Sequence, residues 1–310
     1  MNIRTRQWDD RLLELFEVER EKLCDLAEPG SVVGTLLPEF ARQTGLPAGI
    51  PVVSGGGDQQ CAALGHGVTR AGRVELTTGT GAFILGCADQ VPEDLKSNVI
   101  CGAHAVPGKY VLESSMLACA ATYNWAKDLL FHDSAGYEAI NAAVAAAPAG
   151  SHGCLVLPYF QGRGTPDWNS KATGGFVQLS LGTTRGDMAR AVLEGIAYEA
   201  GHNLQILEGY LGRVEQVYIG GGLTKLDTFN QIQADVYGHT LVRNVDSGEQ
   251  TALGAWANGA VALGAYETHD AAIEKAAARN QFETYQPDET RRAVYQAAQQ
   301  RMLELYEQMQ

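Results

Sequence analysis

The sequence has little positive charge and no long hydrophobic run. It contains 23 Lys and Arg residues against 36 Asp and Glu residues, a formal net charge of −13. Binding a phosphate backbone requires clustered positive charge, so this balance argues against nucleic acid as a partner. The longest apolar runs, residues 142–149 and 251–265, are short or rich in Ala and Gly. We therefore expect no helix of about 20 residues that spans a membrane.

Cysteine is sparse and follows no recognisable pattern. The six cysteines are scattered without a CxxC spacing, which fits neither a zinc site nor a disulfide framework. We interpret them as small buried hydrophobic residues in a reducing compartment. Residues 1–21 are dense in charge and lack the apolar centre of a secretory signal, so a cytoplasmic location is expected.

The composition is that of a globular protein, with 310 residues, 45% of them hydrophobic and 19% charged. Short apolar runs alternate with longer helical patterns, which predicts a mixed α/β fold. The predicted strands are Ile50–Val53, Arg73–Leu76, Ala82–Gly86, Tyr110–Glu113, Gly153–Leu157 and Val214–Ile219. The predicted helices are Trp8–Ala27, Gln59–Leu64, Met116–Leu130, Tyr137–Ala147, Thr184–Leu211, Lys225–Tyr237, Gln250–Leu263 and Arg292–Gln310.

Glycine is abundant, with 36 residues, and three clusters each follow a predicted strand. These are residues 55–57, 79–81 and 220–222. A backbone without Cβ atoms can approach a phosphate or a ring closely. None of the clusters matches the G-x-G-x-x-G or Walker pattern, so neither the dinucleotide nor the P-loop mechanism applies.

The first cluster runs directly into Asp58 and Gln59 at the start of a predicted helix. Phosphoryl transfer uses one acidic group that accepts the proton of the attacking hydroxyl, and Asp58 is well placed for this role. Asp is also a common helix N-cap, so the sequence leaves both roles open for Asp58.

The other two clusters indicate phosphate and nucleoside contacts. Gly79, Thr80 and Gly81 form the tip of a predicted hairpin, whose amides and hydroxyl could hold phosphate, although a bare hairpin turn explains the glycines equally well. The turn at Gly221 could hold an adenosine, or its glycines could serve close packing between a helix and a strand.

Five segments in this order resemble the FGGY family of carbohydrate kinases, whose full-length members transfer the γ-phosphate of ATP to a sugar or polyol hydroxyl. The segments are Gly57-Asp58-Gln59-Gln60, Gly79-Thr80-Gly81-Ala82-Phe83, Leu157–Trp168, Arg190–Tyr198 and Gly220-Gly221-Gly222.

The resemblance implies an RNase H-like, actin-like ATPase fold, of which this chain would supply the second, carboxyl-terminal domain. It implies ATP and Mg²⁺ as cofactors, with Asp58 as the general base and an indirect contributor to the metal site. Gln59 and Phe83 would contact the sugar together with Asp58. Gly79, Thr80 and Gly81 would face the phosphates, and Gly221, Gly222 and Leu223 would contact adenosine.

The resemblance covers nearly the whole chain but only the carboxyl-terminal part of such a kinase. Residues 1–48 would be the end of the first domain with a linker, and residues 49–310 the nucleotide-binding domain. Met1 would be an internal start, an engineered boundary or the start of a truncated gene. The phosphate loop of the first domain has no counterpart here. A non-catalytic nucleotide-binding module and an inactive fragment therefore remain as alternatives to a kinase.

The amino-acid pattern of residues 157–168 and 190–198 is closer to pentulose and gluconate members of the family than to glycerol members. It favours a xylulose-like ketose as substrate, with gluconate or another polyol as the alternative. Arg163 and Asp167–Trp168 are interpreted as ordering a loop, and Glu194 as a packing residue rather than a second base. The surface that a first domain would cover should leave an apolar patch exposed, which predicts a homodimer.

Overall fold

A computed structural model describes residues 1–96, 98–133, 136–246 and 249–309 and confirms the predicted α/β architecture. The helices in these ranges are α1 (Asp10–Leu15), α2 (Pro38–Thr44), α3 (Asp58–Gly65), α4 (Ala120–Leu130), α5 (Glu138–Ala146), α6 (Arg185–Leu211), α7 (Asp227–Tyr237), α8 (Gln250–Ala262), α9 (His269–Ala277) and α10 (Glu289–Gln308). The strands are β1 (Val32–Thr35), β2 (Pro51–Val53), β3 (Arg73–Thr78), β4 (Ala82–Ala88), β5 (Ile100–Ala103), β6 (Tyr110–Met116), β7 (Leu155–Leu157), β8 (Gly175–Val177), β9 (Gln216–Gly220), β10 (Leu241–Asn244) and β11 (Phe282–Tyr285).

Seven strands form the central sheet, in the order β11-β10-β9-β3-β4-β6-β5. The strands β3, β4, β6 and β5 are antiparallel neighbours, whereas β9 lies parallel to β3 and β10 parallel to β9. Parallel neighbours end at the same edge of a sheet. The glycine clusters that follow β3 and β9 are therefore brought to one edge.

Helices cover both faces of this sheet. The long helix α6 lies on one face with α4, α5, α7 and α10 and contributes to the larger hydrophobic core. It begins with a capping box, in which Thr184 accepts the amide of Asp187 and Asp187 accepts the amide of Thr184. Val192 and Ile196 are fully buried, which confirms the apolar stripe that predicted this helix.

The other face carries α3, α8 and α9 around a smaller core that includes Cys61, Leu64 and Ile273. Helices α3 and α8 approach so closely that a Cβ atom at Gly254 would lie 1.9 Å from the carbonyl oxygen of Cys61. This contact requires glycine and fixes the orientation of α3, the helix that begins with Asp58.

The predicted helix over residues 8–27 is wrong. Only Asp10–Leu15 is α-helical, with a short 3-10 turn at Arg20–Lys22, and no residue of α1 is buried. Short helices are marginal in water unless one face packs against the protein, which explains why the periodic pattern does not persist here.

The first 53 residues expose many large apolar side chains, which we call the amino-terminal apolar surface. Its members are Leu12, Leu15, Phe16, Val18, Leu26, Val32, Val33, Leu37, Phe40, Leu46 and Val52. Leu15 and Phe16 are 71% and 70% exposed. Exposed apolar side chains are therefore frequent in this segment, while a contiguous patch and the homodimer stay predictions.

Among residues 1–96, 98–133, 136–246 and 249–309, no helix combines the length and the apolar character needed to cross a bilayer.

Candidate functional site

The second and third glycine clusters lie against each other. The Thr78 hydroxyl, at the end of β3, donates to the carbonyl oxygen of Gly220 at 3.1 Å. Gly221 has a φ of +91°, and a Cβ atom there would lie 2.3 Å from the carbonyl oxygen of Thr78. Both the dihedral angle and the contact require glycine. Close packing thus accounts for Gly221, and the same packing joins the two turns into one backbone surface.

The hairpin tip at residues 79–81 is fixed to the start of α4. The carbonyl oxygens of Gly79 and Thr80 accept hydrogen bonds from the amides of Ala120 at 2.9 Å and Cys119 at 2.8 Å. Across the described ranges, no acceptor is found for the amides of Thr80 and Gly81. Thr80 is exposed. The tip therefore keeps two backbone donors and one hydroxyl available.

A cavity of about 340 Å³ opens beside the third cluster. It is lined by Ala120, Tyr123, Asn124, Tyr137, Asn141, Gly222, Leu223, Lys225 and Leu226. Of the predicted nucleotide contacts, Gly222 and Leu223 line this cavity, and Gly221 adjoins them in the chain. The residues from α4 and α5 were not identified from sequence, because they come from separate helices and share no motif.

Two hydrogen bonds shape the wall of this cavity. The Tyr123 hydroxyl donates to Asn141 Oδ1 at 2.7 Å, and the Tyr137 hydroxyl donates to Asn124 Oδ1 at 2.8 Å. The two tyrosine rings are stacked, with centroids 6.4 Å apart. Burial raises the pKa of Tyr123, so its hydroxyl stays protonated and can donate. The wall is thus aromatic and amide-rich, with fixed side chains.

Asp58 is the first residue of α3, and Gly57 occupies the N-cap position without a side-chain cap. The capping role considered for Asp58 is therefore not observed. Its carboxylate is exposed and accepts the amide of Gln59 at 2.8 Å. The side-chain oxygen Oε1 of Gln59 is buried and has no partner among the described residues. Asp58 and Gln59 thus present acceptors at the start of α3.

Phe83 lies on the sheet face that packs against α3. It pairs with Ser115 across the β4–β6 ladder, and Leu85 pairs with Glu113. Because side chains alternate along a strand, Phe83 and Glu113 are on the same face. Burial, and then the negative charge of Asp58, raise the pKa of the half-buried Glu113. Glu113 therefore lies within electrostatic range of Asp58, which sequence reasoning missed.

A buried polar group lies under the same face. Glu75 on β3 is fully buried, its Oε1 accepts the Thr77 hydroxyl, and His66 Nε2 lies 3.8 Å from that oxygen. Burial raises the pKa of Glu75 to about 7 and lowers the pKa of His66 to about 4. His66 is consequently uncharged near neutral pH, while Glu75 titrates there.

The loop and helix residues that were interpreted as structural have structural partners. Arg163 Nε donates to Glu199 Oε1 at 2.7 Å in a buried ion pair. Glu194 accepts from Arg190 Nε at 2.7 Å and from the Ser151 hydroxyl at 2.8 Å. Both networks join α6 to neighbouring loops, which agrees with the structural interpretation of Arg163 and Glu194.

The metal expectation rests on Asp58 alone. The described part of the chain holds no group of three or more His, Cys, Asp or Glu side chains placed to bind an ion. A single carboxylate fits Mg²⁺ held mainly by phosphate oxygens and water, which is how this ion is commonly bound. The indirect metal role of Asp58 stays a prediction.

Comparison with known proteins identifies the lineage of this site. The model of the FGGY carbohydrate kinase carboxyl-terminal domain matches residues 74–263, and that of the amino-terminal domain matches residues 1–65. A glycerol kinase from Haemophilus influenzae is 33% identical over 301 residues. That alignment covers 95% of this chain and 58% of the glycerol kinase. The chain thus spans little more than half of this relative.

Solved structures agree on the fold. A ligand-bound xylulose kinase from Lactobacillus acidophilus has a TM-score of 0.89 at 25% identity, covering 99% of this chain and 62% of the kinase. A gluconate kinase from the same organism has a TM-score of 0.90 at 25% identity with the same coverage. Plasmodium falciparum glycerol kinase with ADP has a TM-score of 0.84 at 23% identity, covering 99% of this chain and 61% of that kinase. The predicted actin-like ATPase fold is confirmed.

One part of the sequence interpretation is corrected. The chain is not the carboxyl-terminal domain alone, because the amino-terminal domain model matches residues 1–65. The sequence interpretation assigned only residues 1–48 to the end of a first domain, whereas the match extends to residue 65. With the carboxyl-terminal model matching more than half of its residues, the chain belongs to the FGGY family of carbohydrate kinases.

Proposed function

We propose that this protein transfers a phosphoryl group from ATP to a hydroxyl of a sugar or polyol. The observation that carries the proposal is the joined surface of the second and third glycine clusters, with a cavity on one side of it. The exposed carboxylate of Asp58 lies on the sheet face that carries Phe83 and Glu113. This arrangement would supply a nucleotide site and a base.

The cavity of about 340 Å³ suits the base and ribose of a nucleotide, because ligand pockets combine apolar and aromatic walls with a few polar groups. Gly222 and Leu223 would contact the nucleoside from one side and Tyr123 from the other. The ADP named for the Plasmodium falciparum glycerol kinase supports a nucleotide as the ligand.

The phosphates would lie at the hairpin tip. The free amides of Thr80 and Gly81 and the Thr80 hydroxyl are neutral donors, which suit phosphate oxygens without adding a charged side chain. Gly81 lets the tip pack closely on the end of β6, since a Cβ atom there would lie 2.5 Å from the carbonyl oxygen of Met116. Mg²⁺ bound with ATP would supply positive charge that offsets the negative charge of the phosphates. Asp58 would contribute to that ion indirectly.

Asp58 would act as the general base. Its carboxylate is exposed, accepts one backbone amide and takes no part in capping α3, so oxygen lone pairs remain for the acceptor hydroxyl. Accepting the hydroxyl proton as the oxygen attacks is the main acid-base task in phosphoryl transfer. Gln59 and Phe83 would position the acceptor beside it.

The acceptor is a small sugar or polyol, and we favour a xylulose-like ketose over gluconate or another polyol. The solved structures that resemble this chain include a xylulose kinase and a gluconate kinase, and the Haemophilus influenzae relative is a glycerol kinase. The cytoplasmic location is part of this proposal, and the six free cysteines are consistent with a reducing compartment.

A non-catalytic nucleotide-binding module is the second candidate. It is favoured by one observation, that the chain spans only 58% of the Haemophilus influenzae glycerol kinase. We also propose a division between residues 48 and 49, with the nucleotide-binding domain following it. Both candidate functions use the nucleotide site. Only the kinase needs Asp58 as a general base.

The test is ATP-dependent ADP release by the 310-residue chain with xylulose, ribulose, gluconate, erythritol and glycerol. Asp58→Asn keeps the shape of the side chain and removes its basicity. Acceptor-dependent turnover that is lost in Asp58→Asn supports the kinase. Nucleotide binding without turnover in the wild type, unchanged by Asp58→Asn, supports the binding module instead.

A further inference from the structure

Glu113 lies on the same sheet face as the predicted acceptor residue Phe83, outside the sequence motifs that carry the family resemblance. We propose that Glu113 is a specificity-determining residue that binds acceptor hydroxyls and selects uncharged polyols and ketoses over sugar acids. This inference rests on the proposed function in one respect, that the acceptor lies beside Asp58.

The strand register places Glu113 next to the acceptor site. Leu85 pairs with Glu113 and Phe83 with Ser115, so Phe83 and Glu113 are diagonal neighbours on one face. Such diagonal pairs are roughly 7 Å apart, within reach of an aromatic ring and a long side chain. Helix α3, which begins with Asp58, packs on this face. A ligand that contacts both Asp58 and Phe83 therefore comes within reach of Glu113.

Two acceptors at this place have no donor. The Oε1 atom of Gln59 is buried without a partner, and no hydrogen bond or ion pair of Glu113 is found within the described ranges. A buried acceptor such as Gln59 Oε1 normally has a partner in native proteins, so its exception requires an explanation, whereas Glu113 is only half-buried. A ligand with several adjacent hydroxyl groups would supply donors to both side chains.

The charges at this place are of one sign. The negative charge of Asp58 is among the causes that raise the pKa of Glu113, so the two carboxylates interact. In the described part of the chain, neither is ion-paired with Lys or Arg. A third carboxylate on the acceptor would be repelled by both, whereas an uncharged hydroxyl would donate to either.

The test uses acceptor pairs that differ only by a carboxylate, which are glycerol with glycerate, xylitol with xylonate, and sorbitol with gluconate. Binding to the full chain is measured by calorimetry without nucleotide, for the wild type, Glu113→Gln and Glu113→Asp. Glu267→Gln is the control, since Glu267 is exposed and precedes α9. Thermal unfolding of each variant shows whether the fold is retained.

We expect the wild type to bind the polyol of at least one pair about tenfold or more tightly than the acid. Glu113→Gln should weaken polyol binding by about tenfold to a hundredfold, the range for a hydrogen bond to a charged group. Glu113→Gln should also reduce the ratio of polyol affinity to acid affinity. Glu267→Gln should change neither the polyol affinity nor this ratio. Glu113→Asp should keep the preference for the polyol.

The inference is overturned if no pair shows a preference for the polyol, if Glu113→Gln leaves the ratio unchanged, or if none of these ligands binds. Polyol binding with this preference but without ATP-dependent turnover would contradict the kinase and leave the role of Glu113 intact. Turnover that depends on Asp58 but shows equal use of acids would contradict the Glu113 role alone.

Discussion

Gly221 and Thr78 are packed so closely that a Cβ atom on Gly221 would lie 2.3 Å from the Thr78 carbonyl oxygen. This close approach accompanies the Thr78–Gly220 hydrogen bond and the β3–β9 pairing that join the two glycine clusters at the sheet edge. Gly221→Ala should therefore lower the free energy of unfolding by about 1–3 kcal/mol and weaken nucleotide binding, because the turn must move. Denaturant unfolding and ADP titration measure the two effects.

The matched control is the neighbouring Gly222→Ala. A Cβ atom at Gly222 meets nothing within 4 Å. Its effect on stability should stay within about 0.5 kcal/mol, as for most surface changes. Equal losses of unfolding free energy in Gly221→Ala and Gly222→Ala would show that the close approach to Thr78 does not determine the position of the turn.

The ion pair of Arg163 and Glu199 should be important for stability. Both side chains are buried, Nε lies 2.7 Å from Oε1, and the Tyr159 hydroxyl also donates to Glu199 at 2.9 Å. Glu199→Ala leaves the buried guanidinium with only its longer pair to Asp167, at 3.5 Å, and should cost about 3–5 kcal/mol in denaturant unfolding. Glu208→Ala is the control, since Glu208 and His239 form a more accessible pair at 2.9 Å and should contribute about 0–1 kcal/mol. Similar losses of unfolding free energy in the two variants would contradict the importance of the Arg163–Glu199 pair for stability.

Glu75 should make stability depend on pH. Its pKa is raised from 4.5 to about 7 in the folded protein, so the folded state holds the proton more tightly than the unfolded state. The contribution is fully present below pH 4.5 and is lost as pH rises through 7. His66 acts in the opposite direction, because its lowered pKa of about 4 makes stability rise with pH up to 6.5.

Glu75→Gln isolates the carboxyl contribution. The free energy of unfolding of Glu75→Gln, minus that of the wild type, should increase by about 2.5 kcal/mol between pH 5 and pH 8. The measurement is denaturant unfolding across this range, with Glu267→Gln as the exposed control. A difference that does not vary with pH would show that Glu75 titrates normally.

The cavity beside Leu223 should be the nucleotide site. Ala120→Trp adds an indole to a space of about 340 Å³ and should weaken ADP binding by about tenfold or more, because the ring occupies the place of the ligand. Leu129→Trp is the control, since Leu129 is on the same helix but 54% exposed and outside the cavity. Retained ADP affinity in Ala120→Trp would place the nucleotide elsewhere.

The amino-terminal apolar surface should cause self-association. Large apolar areas are rarely left in contact with water, and Leu15 and Phe16 are its most exposed members. Sedimentation velocity should detect a dimer that the double variant Leu15→Ser and Phe16→Ser weakens. A clean monomer of the wild type at high concentration would contradict this prediction.

The local sequence determined the elements that carry the chemistry. The periodic apolar stripe and the Thr184–Asp187 capping box specify α6, and the Gly-Thr-Gly turn specifies the β3–β4 hairpin. These signals are local, because a helix or hairpin is encoded by neighbouring residues. Short strands such as β10 and β5 were missed, since four residues without strict alternation give no clear periodic signal.

Tertiary structure alone decided which of these elements meet. The parallel pairing of β3 with β9 joins two glycine clusters that are about 140 residues apart in the chain, and the β4–β6 ladder places Glu113 beside Phe83. Packing also decided that residues 8–27 do not form one helix, because no buried face supports it. Asp58 and the glycine turns could thus be identified from sequence. Glu113, the cavity and the contact between Thr78 and Gly221 could not, because each depends on strand register between distant segments or on helix packing.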